Sequence, residues 1–247
     1  MNKIIIPILK AQNSVYGPQD LSFLTTLIKK YHIRNILDIG TGDGGFILEL
    51  AKQIPETKIT AIDGSEELIG HAKKSKNKSV LFDCRFFDKT FLTKEFDLII
   101  ARFALEHSKN VDDFINTCFQ KLCSGGHFAV IEYYVDDGNI SDPVWKEFRK
   151  REISLYKKNK AHPHLGMTLP LSLRQHGFKN ISSSFLQISS STVGAEPFYN
   201  LIKISGQLYS QIDPLNWPKS FINKLNKWCV STSKRYDTEP MLFLTHT

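Results

Sequence analysis

Apolar positions along this chain follow two rhythms. Short, dense apolar runs mark strands buried on both faces, and apolar residues three or four apart mark helices with one buried side. Ile36, Leu37 and Ile39 form the first run. Lys58–Asp63, Val80–Phe86, Phe96–Arg102 and His127–Tyr133 follow as the second to fifth strands. Helical spacing appears in Pro18–Tyr31 (Leu21, Phe23, Leu24, Leu27, Ile28), with Asn13–Gly17 as the loop before it. It returns from Phe46 through Leu48, Leu50 and Ala51, from Ser65 to about Lys74, and over Val111–Leu122, closed by Gly125-Gly126. Ser65, Glu66 and Glu67 suit a helix start, since a hydroxyl accepts a free N–H and carboxylates oppose the positive helix end. Strand and helix in alternation predict an α/β fold with a doubly wound, mostly parallel sheet.

The second half has a looser pattern. Pro143–Asn159 and Leu169–His176 read as helices, Asn180–Ser190 as a strand, Pro197–Tyr209 and Pro218–Val230 as two more helices, and Met241–Thr245 as a last strand. Two late strands bring the sheet to seven, with an antiparallel last strand and a helical lid between the final pair. The expected organisation is one domain over 1–247, with lid insertions at about 139–166 and 192–238. Sheets of this kind bind ligands beyond the carboxyl ends of their strands, where Asp63, Arg102, His107, Glu132 and Tyr133 fall.

Composition narrows the class. The chain has 247 residues, 41% of them hydrophobic, enough for a substantial core. Its apolar runs are too short for a membrane span. Ile4–Leu9 is short, is broken by Pro7 and lacks a small-residue cleavage site, so it reads as folded sequence and not as a signal peptide. Cys84, Cys118, Cys123 and Cys229 form no C-x-x-C pair, and no Cys/His cluster has zinc spacing. The expectation is therefore a reduced, cytoplasmic protein without a bound metal or a membrane partner. The net charge of +7 is concentrated: from Lys146 to Lys160 seven basic residues stand against two acidic ones.

The chemistry centres on Asn35–Phe46. A strand runs into Gly40, Gly42, Gly44 and Gly45 and then into a helix. Glycine permits a sharp turn and close ligand approach, and the helix start presents free N–H groups. Gly40, Gly42 and Gly45 fit the dinucleotide pattern G-x-G-x-x-G. Asp38, Gly40, Gly42 and Gly44 fit D-x-G-x-G-x-G equally well.

That second pattern resembles the first motif of the class I S-adenosylmethionine-dependent methyltransferases, and the rest of the chain extends the resemblance. Asp63 matches the acid that ends the second strand, Phe96–Ile100 the "FDLI" strand, and Leu105-Glu106-His107 the segment after it. Leu122–Phe128 matches the "L-x-x-G-G-x-F" entry to the fifth strand. His164-Leu165-Gly166, Leu169-Pro170 and Gly177-Phe178 look like a small-molecule subgroup with lid helices. The ending is that of a methyltransferase and not of a second mononucleotide-binding half, which decides against a nicotinamide cofactor.

The resemblance implies S-adenosyl-L-methionine as cofactor, with Tyr16, Gly40, Thr41, Gly42, Asp63, Gly64, Ser65, Arg85, Phe86, Arg102 and Phe103 around it. Asp63 would hold the ribose hydroxyls, and the ring of Tyr16 would cover the sulfonium. One position departs from the family: Arg85 stands where an adenine-side acid is expected, so Asp83, Asp88, or main-chain groups with Phe86 take that role. His107 is the candidate general base, with His162 and His164 behind it. Glu132, Tyr133, Tyr134, Trp145 and His164 are the candidate acceptor residues; Asp136 and Asp137 either bind a cationic amine or face water. The expected activity is methyl transfer to a small-molecule acceptor at oxygen or nitrogen. An RNA or other acidic substrate on the basic helix 146–160 is the second reading, and a non-catalytic binding protein is the third. The oligomeric state is left open, a homodimer included.

Overall fold

The computed structural model describes residues 2–75, 77–90, 96–134, 142–233 and 241–246; the side chains of 2–4, 134 and 241–246 are outside the description. Seven strands form one sheet: β1 (Asn35–Ile39), β2 (Lys58–Asp63), β3 (Val80–Cys84), β4 (Phe96–Arg102), β5 (Leu122–Tyr134), β6 (Ser184–Ser189) and β7 (Met241–His246). Their spatial order is β3-β2-β1-β4-β5-β7-β6. Strands β1 to β5 pair in parallel, while β7 runs antiparallel to both β5 and β6. The strand order reverses between β1 and β4, which leaves a crevice beyond their carboxyl ends.

The dense apolar runs form strands because both faces of the sheet are covered. Ile36, Leu98, Ile100, Ala129 and Ile131 point into one cluster. Leu37, Ile39, Ile62, Phe96 and Ile99 point into the opposite one, with Cys118. Helices α2 (Gly45–Gln53), α3 (Glu66–Ala72) and α4 (Val111–Lys121) follow β1, β2 and β4 as the periodicity predicts. Ser65 caps α3 through the N–H of Leu68, and Asn110 caps α4 through that of Asp113. Gly125 and Gly126 do not close α4. They lie within β5, where its register against β4 shifts between the Phe96 and Leu98 pairings. Gly126 is needed there, because a Cβ would sit 3.0 Å from the Cys123 carbonyl oxygen.

The largest departure from the sequence reading is at the start of the chain. Helix α1 runs unbroken over Asn2–Lys30, with Pro7 and Pro18 inside it and Asn13–Gly17 helical. Each proline removes one helical hydrogen bond. Burial of Ile8, Ala11, Val15, Tyr16, Leu24 and Ile28 outweighs that loss. Asn13, Tyr16 and Asp20 are thereby held on one rigid rod.

Helices α5 (Pro143–Lys158), α6 (Leu165–Gln175), α7 (Ser190–Val193), α8 (Ala195–Ile212) and α9 (Lys219–Thr232) complete the fold. The last three lie between β6 and β7 in the chain, as expected of a helical insertion. Trp145 on α5 is 1% exposed; its ring stacks on Phe148 at 5.3 Å and on Trp228 at 6.0 Å. It is a core residue joining α5 to α9 and not an acceptor contact. Three of the seven basic residues of 146–160 are paired within the fold: Arg149 with Glu152, Arg151 with Glu147 and Lys158 with Asp213. Among the described residues no helix is long and apolar enough to cross a membrane.

Glu132 on β5 is fully buried, and its carboxylate accepts the N–H groups of Leu105 and Glu106 at 2.8 and 3.2 Å. It pins the short 3-10 turn Leu105–His107 that follows β4. Burial raises its pKa to about 8 despite those hydrogen bonds. Above the ordinary carboxylate pKa the unfolded chain releases this proton while the folded chain keeps it, so folding stability falls as pH rises from about 5 to 8. Glu132→Gln keeps the acceptor oxygen, and the fall in melting temperature over that range should be visibly shallower than in the parent. Glu106 and Asp38 titrate in the same direction, so part of the slope survives. Parallel melting profiles for the two proteins would contradict this role.

Candidate active site

The crevice at the switch point opens into a cavity of about 1220 Å³. The first wall is the glycine loop after β1. Gly40 and Thr41 donate their N–H groups to the Ile62 carbonyl at 2.9 and 3.0 Å, which folds the loop over the end of β2. Gly40 has φ +75, and a Cβ there would meet the Ala104 Cβ at 2.7 Å, so no other residue fits without displacement. Thr41 and Gly42 continue this wall.

Asp63, at the end of β2, locks the loop. One carboxylate oxygen accepts the N–H of Gly42 and the other that of Ser65, both at 2.9 Å. Each oxygen keeps a further lone pair for a ligand hydroxyl. Asp38 lies beneath, 4% exposed; burial raises its pKa to about 6, while the Thr41 hydroxyl and the charge of Arg102 oppose that rise.

Arg102 leaves the end of β4. Its Nε donates to Asp20 at 2.7 Å and its Nη1 to Asn13 at 3.0 Å, both on α1. The guanidinium carbon lies 4.1 Å from the Phe46 ring centre and 4.7 Å from that of Phe103. Nη2 is buried and has no hydrogen-bond partner among the described residues. A buried guanidinium with one idle donor beside a glycine cradle is a ready place for a ligand carboxylate.

Tyr16, Phe103 and Tyr133 make an aromatic wall. Phe103 stacks on Tyr133 at 4.3 Å, and Tyr16 meets both edge-on at 5.4 and 5.2 Å. Phe103 holds φ 53, an uncommon backbone state for a bulky residue, with its N–H on the Ile131 carbonyl at 2.8 Å. On the opposite side the Phe86 ring lies on Gly64, where a Cβ would come within 2.3 Å of it. Phe86 is 77% exposed, as suits a platform for a planar ligand. Arg85 lines the cavity too, 3.9 Å from the Asp83 carboxylate. Asp88 is also in the wall, but its carboxylate is engaged by the N–H and hydroxyl of Thr90.

The turn after β4 supplies Glu106 and His107. His107 lines the cavity with its side chain 62% exposed, its Nε2 3.4 Å from Glu106 Oε1. Partial desolvation lowers its pKa, which keeps the ring neutral and able to take a proton near neutral pH.

Of the residues selected from sequence, Tyr16, Gly40, Thr41, Gly42, Asp63, Gly64, Arg85, Phe86, Arg102, Phe103, His107 and Tyr133 share this one cavity. Ser65 does not line it; its hydroxyl caps α3, and only its N–H reaches Asp63. Glu132 and Trp145 lie behind the wall for the packing reasons given above. His164 is exposed at the start of α6, outside the wall, and His162 is exposed with its ring on the Ser108 carbonyl. The Tyr134 side chain, Asp136 and Asp137 lie outside the described residues. Sequence reasoning passed over Asn13 and Asp20, because only a continuous α1 points them at Arg102. It also gave no role to Glu106, named only within the matched segment Leu105-Glu106-His107, or to Glu152, one of the two acids in the basic run.

A family model described as "Methyltransferase domain" matches residues 20–183. The malonyl-[acyl-carrier protein] O-methyltransferase of Bacillus anthracis is 31% identical over 109 residues, 42% of this chain and 40% of that protein. The chain thus aligns with well under two thirds of that relative's length. The demethylmenaquinone methyltransferase of Bacteroides fragilis is 22% identical over 191 residues, 71% of this chain and 78% of that protein. Among solved structures, a plantazolicin methyltransferase in complex with a triazolic desmethylPZN analog and SAH superposes with a TM-score of 0.59 at 18% identity, covering 99% of this chain and 88% of that one. With the glycine loop, the carboxylate ending β2 and the strand order all in place, the chain belongs to the methyltransferase domain family.

Proposed function

We propose that this protein is an S-adenosyl-L-methionine-dependent methyltransferase acting on a small-molecule acceptor. The observation that carries the reading is the paired anchorage at the switch point. Asp63 is held by two main-chain N–H groups with lone pairs to spare, and across the glycine loop Arg102 keeps an unpartnered Nη2. One end suits a ribose diol and the other an amino-acid carboxylate. The bound cofactor supplies a methyl on a sulfonium, which leaves as a neutral thioether.

The chain's own residues bind and orient. Main-chain groups of Gly40–Gly42 border the amino-acid end, and Gly64 lets Phe86 lie close enough to cover an adenine face, with Arg85 at its margin. Tyr16 and Phe103 present ring faces and edges to the positive centre, an attraction worth about 0.5–2 kcal/mol. Holding two reactants at attack distance contributes about 7–11 kcal/mol when alignment is good. That makes the rigidity of α1, the glycine loop and the Phe103 turn the main catalytic contribution. His107, at the open side of the cavity, receives the proton that leaves the acceptor, directly or through a neighbouring group. The four cysteines are all free thiols, which fits a reducing compartment, and we place the enzyme in the cytoplasm. Helices α5 and α8 wall the cavity and serve as its lid.

Asp63→Ala should weaken S-adenosylhomocysteine binding at least tenfold, about 1.4 kcal/mol or more, measured by calorimetry. Asp63→Asn, which keeps one acceptor oxygen for the loop, should lose less. Unchanged affinity in the alanine variant would remove the ribose assignment, and no binding by the parent would favour a non-catalytic binding protein. His107→Ala should lower turnover by about a hundredfold or more while S-adenosylhomocysteine affinity stays within about threefold. Full turnover in that variant would exclude His107 as proton acceptor.

A further inference from the structure

The wall of the cavity formed by the turn after β4, α5 and α8 carries an unusual charge pattern. Glu106 and Glu152 both border the cavity, with Glu132 directly behind the turn. Arg149 borders the cavity on the same helix as Glu152 and is paired with it. Tyr209 donates its hydroxyl to Glu152 Oε1 at 2.9 Å, and Tyr156 donates to Glu106 Oε1 at 3.3 Å. Glu106 is 1% exposed, and its Oε2 has no hydrogen-bond partner among the described residues. The remaining surface there is aromatic and aliphatic, including Tyr133, Phe148, Leu201 and Leu208.

A buried carboxyl oxygen without a partner is costly, and at the edge of a ligand-sized cavity the ligand is what completes it. Glu106, Glu132 and Glu152 together give this end more hydrogen-bond acceptors than the wall fills with donors. A carboxylate acceptor placed against Glu106 would set two acids side by side. A hydroxyl would satisfy one oxygen but bring no positive charge to Glu106 when that acid ionises. An amine does both, because it donates N–H and arrives as an ammonium ion.

We propose that the methyl acceptor is an amine on an aromatic or aliphatic body, bound through the idle oxygen of Glu106. This rests on the methyltransferase reading above and names its substrate class. The ammonium gives a proton to Glu106 Oε2, and the freed nitrogen lone pair forms the N–C bond to the methyl. The C–S bond breaks and its electron pair stays on sulfur. His107 Nε2, 3.4 Å from the other Glu106 oxygen and largely exposed, carries the proton outward. Buried Glu106 and exposed His107 are then consecutive stations on one path.

The test is calorimetric binding of three probes of matched shape to the protein saturated with S-adenosylhomocysteine: phenethylamine, phenethyl alcohol and 3-phenylpropionate. Phenethylamine should bind at least about tenfold more tightly than the alcohol, with the carboxylate weakest. Glu106→Gln should erase the preference for the amine while S-adenosylhomocysteine still binds and the protein still melts cooperatively. Equal or tighter binding of the alcohol or the carboxylate, or no binding of the amine, overturns the proposal, and so does a preference that survives in the glutamine variant. The parent comparison stands without the variant should Glu106→Gln not fold. If S-adenosylhomocysteine itself fails to bind the parent, it is the methyltransferase reading that falls; if it binds and no amine preference appears, only the acceptor class falls.

Discussion

One carboxylate ties two loops into a single surface. Asp63 accepts the N–H of Gly42 from the loop after β1 and the N–H of Ser65 from the loop after β2. Each loop is short and, being glycine-rich or capped by a single serine, has little side-chain packing of its own. An ionised oxygen bonded to a main-chain N–H is a stronger tie than a neutral pair. The two bonds therefore set the spacing of the cradle before any ligand arrives. They also aim the remaining lone pairs of Asp63 outward, so one side chain both holds the loops and presents the ligand contact.

The opposite end of the site depends on α1. Arg102 is steered by Asp20 and Asn13, and both belong to a helix that lies outside the strand-helix alternation. Tyr16 comes from the same helix and closes the aromatic wall against Phe103 and Tyr133. A helix carrying two internal prolines persists because its apolar face is covered along most of its length. The energy of that packing is thus spent on geometry: it delivers three side chains to the mouth of a crevice that the sheet alone would leave open.

The acceptor side is organised by buried carboxylates. Glu132 fixes the turn that presents Glu106 and His107, and Glu152 holds Arg149 and Tyr209 in place. Each is costly in isolation, and each is compensated by main-chain donors, a guanidinium or tyrosine hydroxyls. Glu106, which borders the cavity, keeps an oxygen without a hydrogen-bond partner among the described residues. The same low-dielectric surroundings that raise its pKa would make any cation placed beside it count strongly.

Residues 35–133 could be read from sequence because their signals are local. A strand buried on both faces must be densely apolar, a tight turn under a ligand must be glycine, and a carboxylate at a strand end has few structural uses; Ile36, Gly40 and Asp63 each carry their reason within a few positions. The doubly wound order followed from the alternation, and twelve of the candidate residues came together in one cavity as a result. Other features depended on distant partners. Pro18 argues against a continuous helix until the apolar face of α1 is seen to be covered. Trp145 looks like a ligand contact until Trp228, from a helix more than eighty residues on, stacks against it. The basic run on α5 reads as uniformly unpaired in sequence, whereas Glu152, Glu147 and Asp213 pair with Arg149, Arg151 and Lys158. Glu106 falls in the matched segment Leu105-Glu106-His107, but nothing in sequence marks its carboxyl as unpartnered, since that is defined by what surrounds it. The sequence thus determined the fold and the cofactor end, where backbone constraint dictates residue type. Only the tertiary structure decided the acceptor end, where the chemistry arises from side chains that meet across four elements.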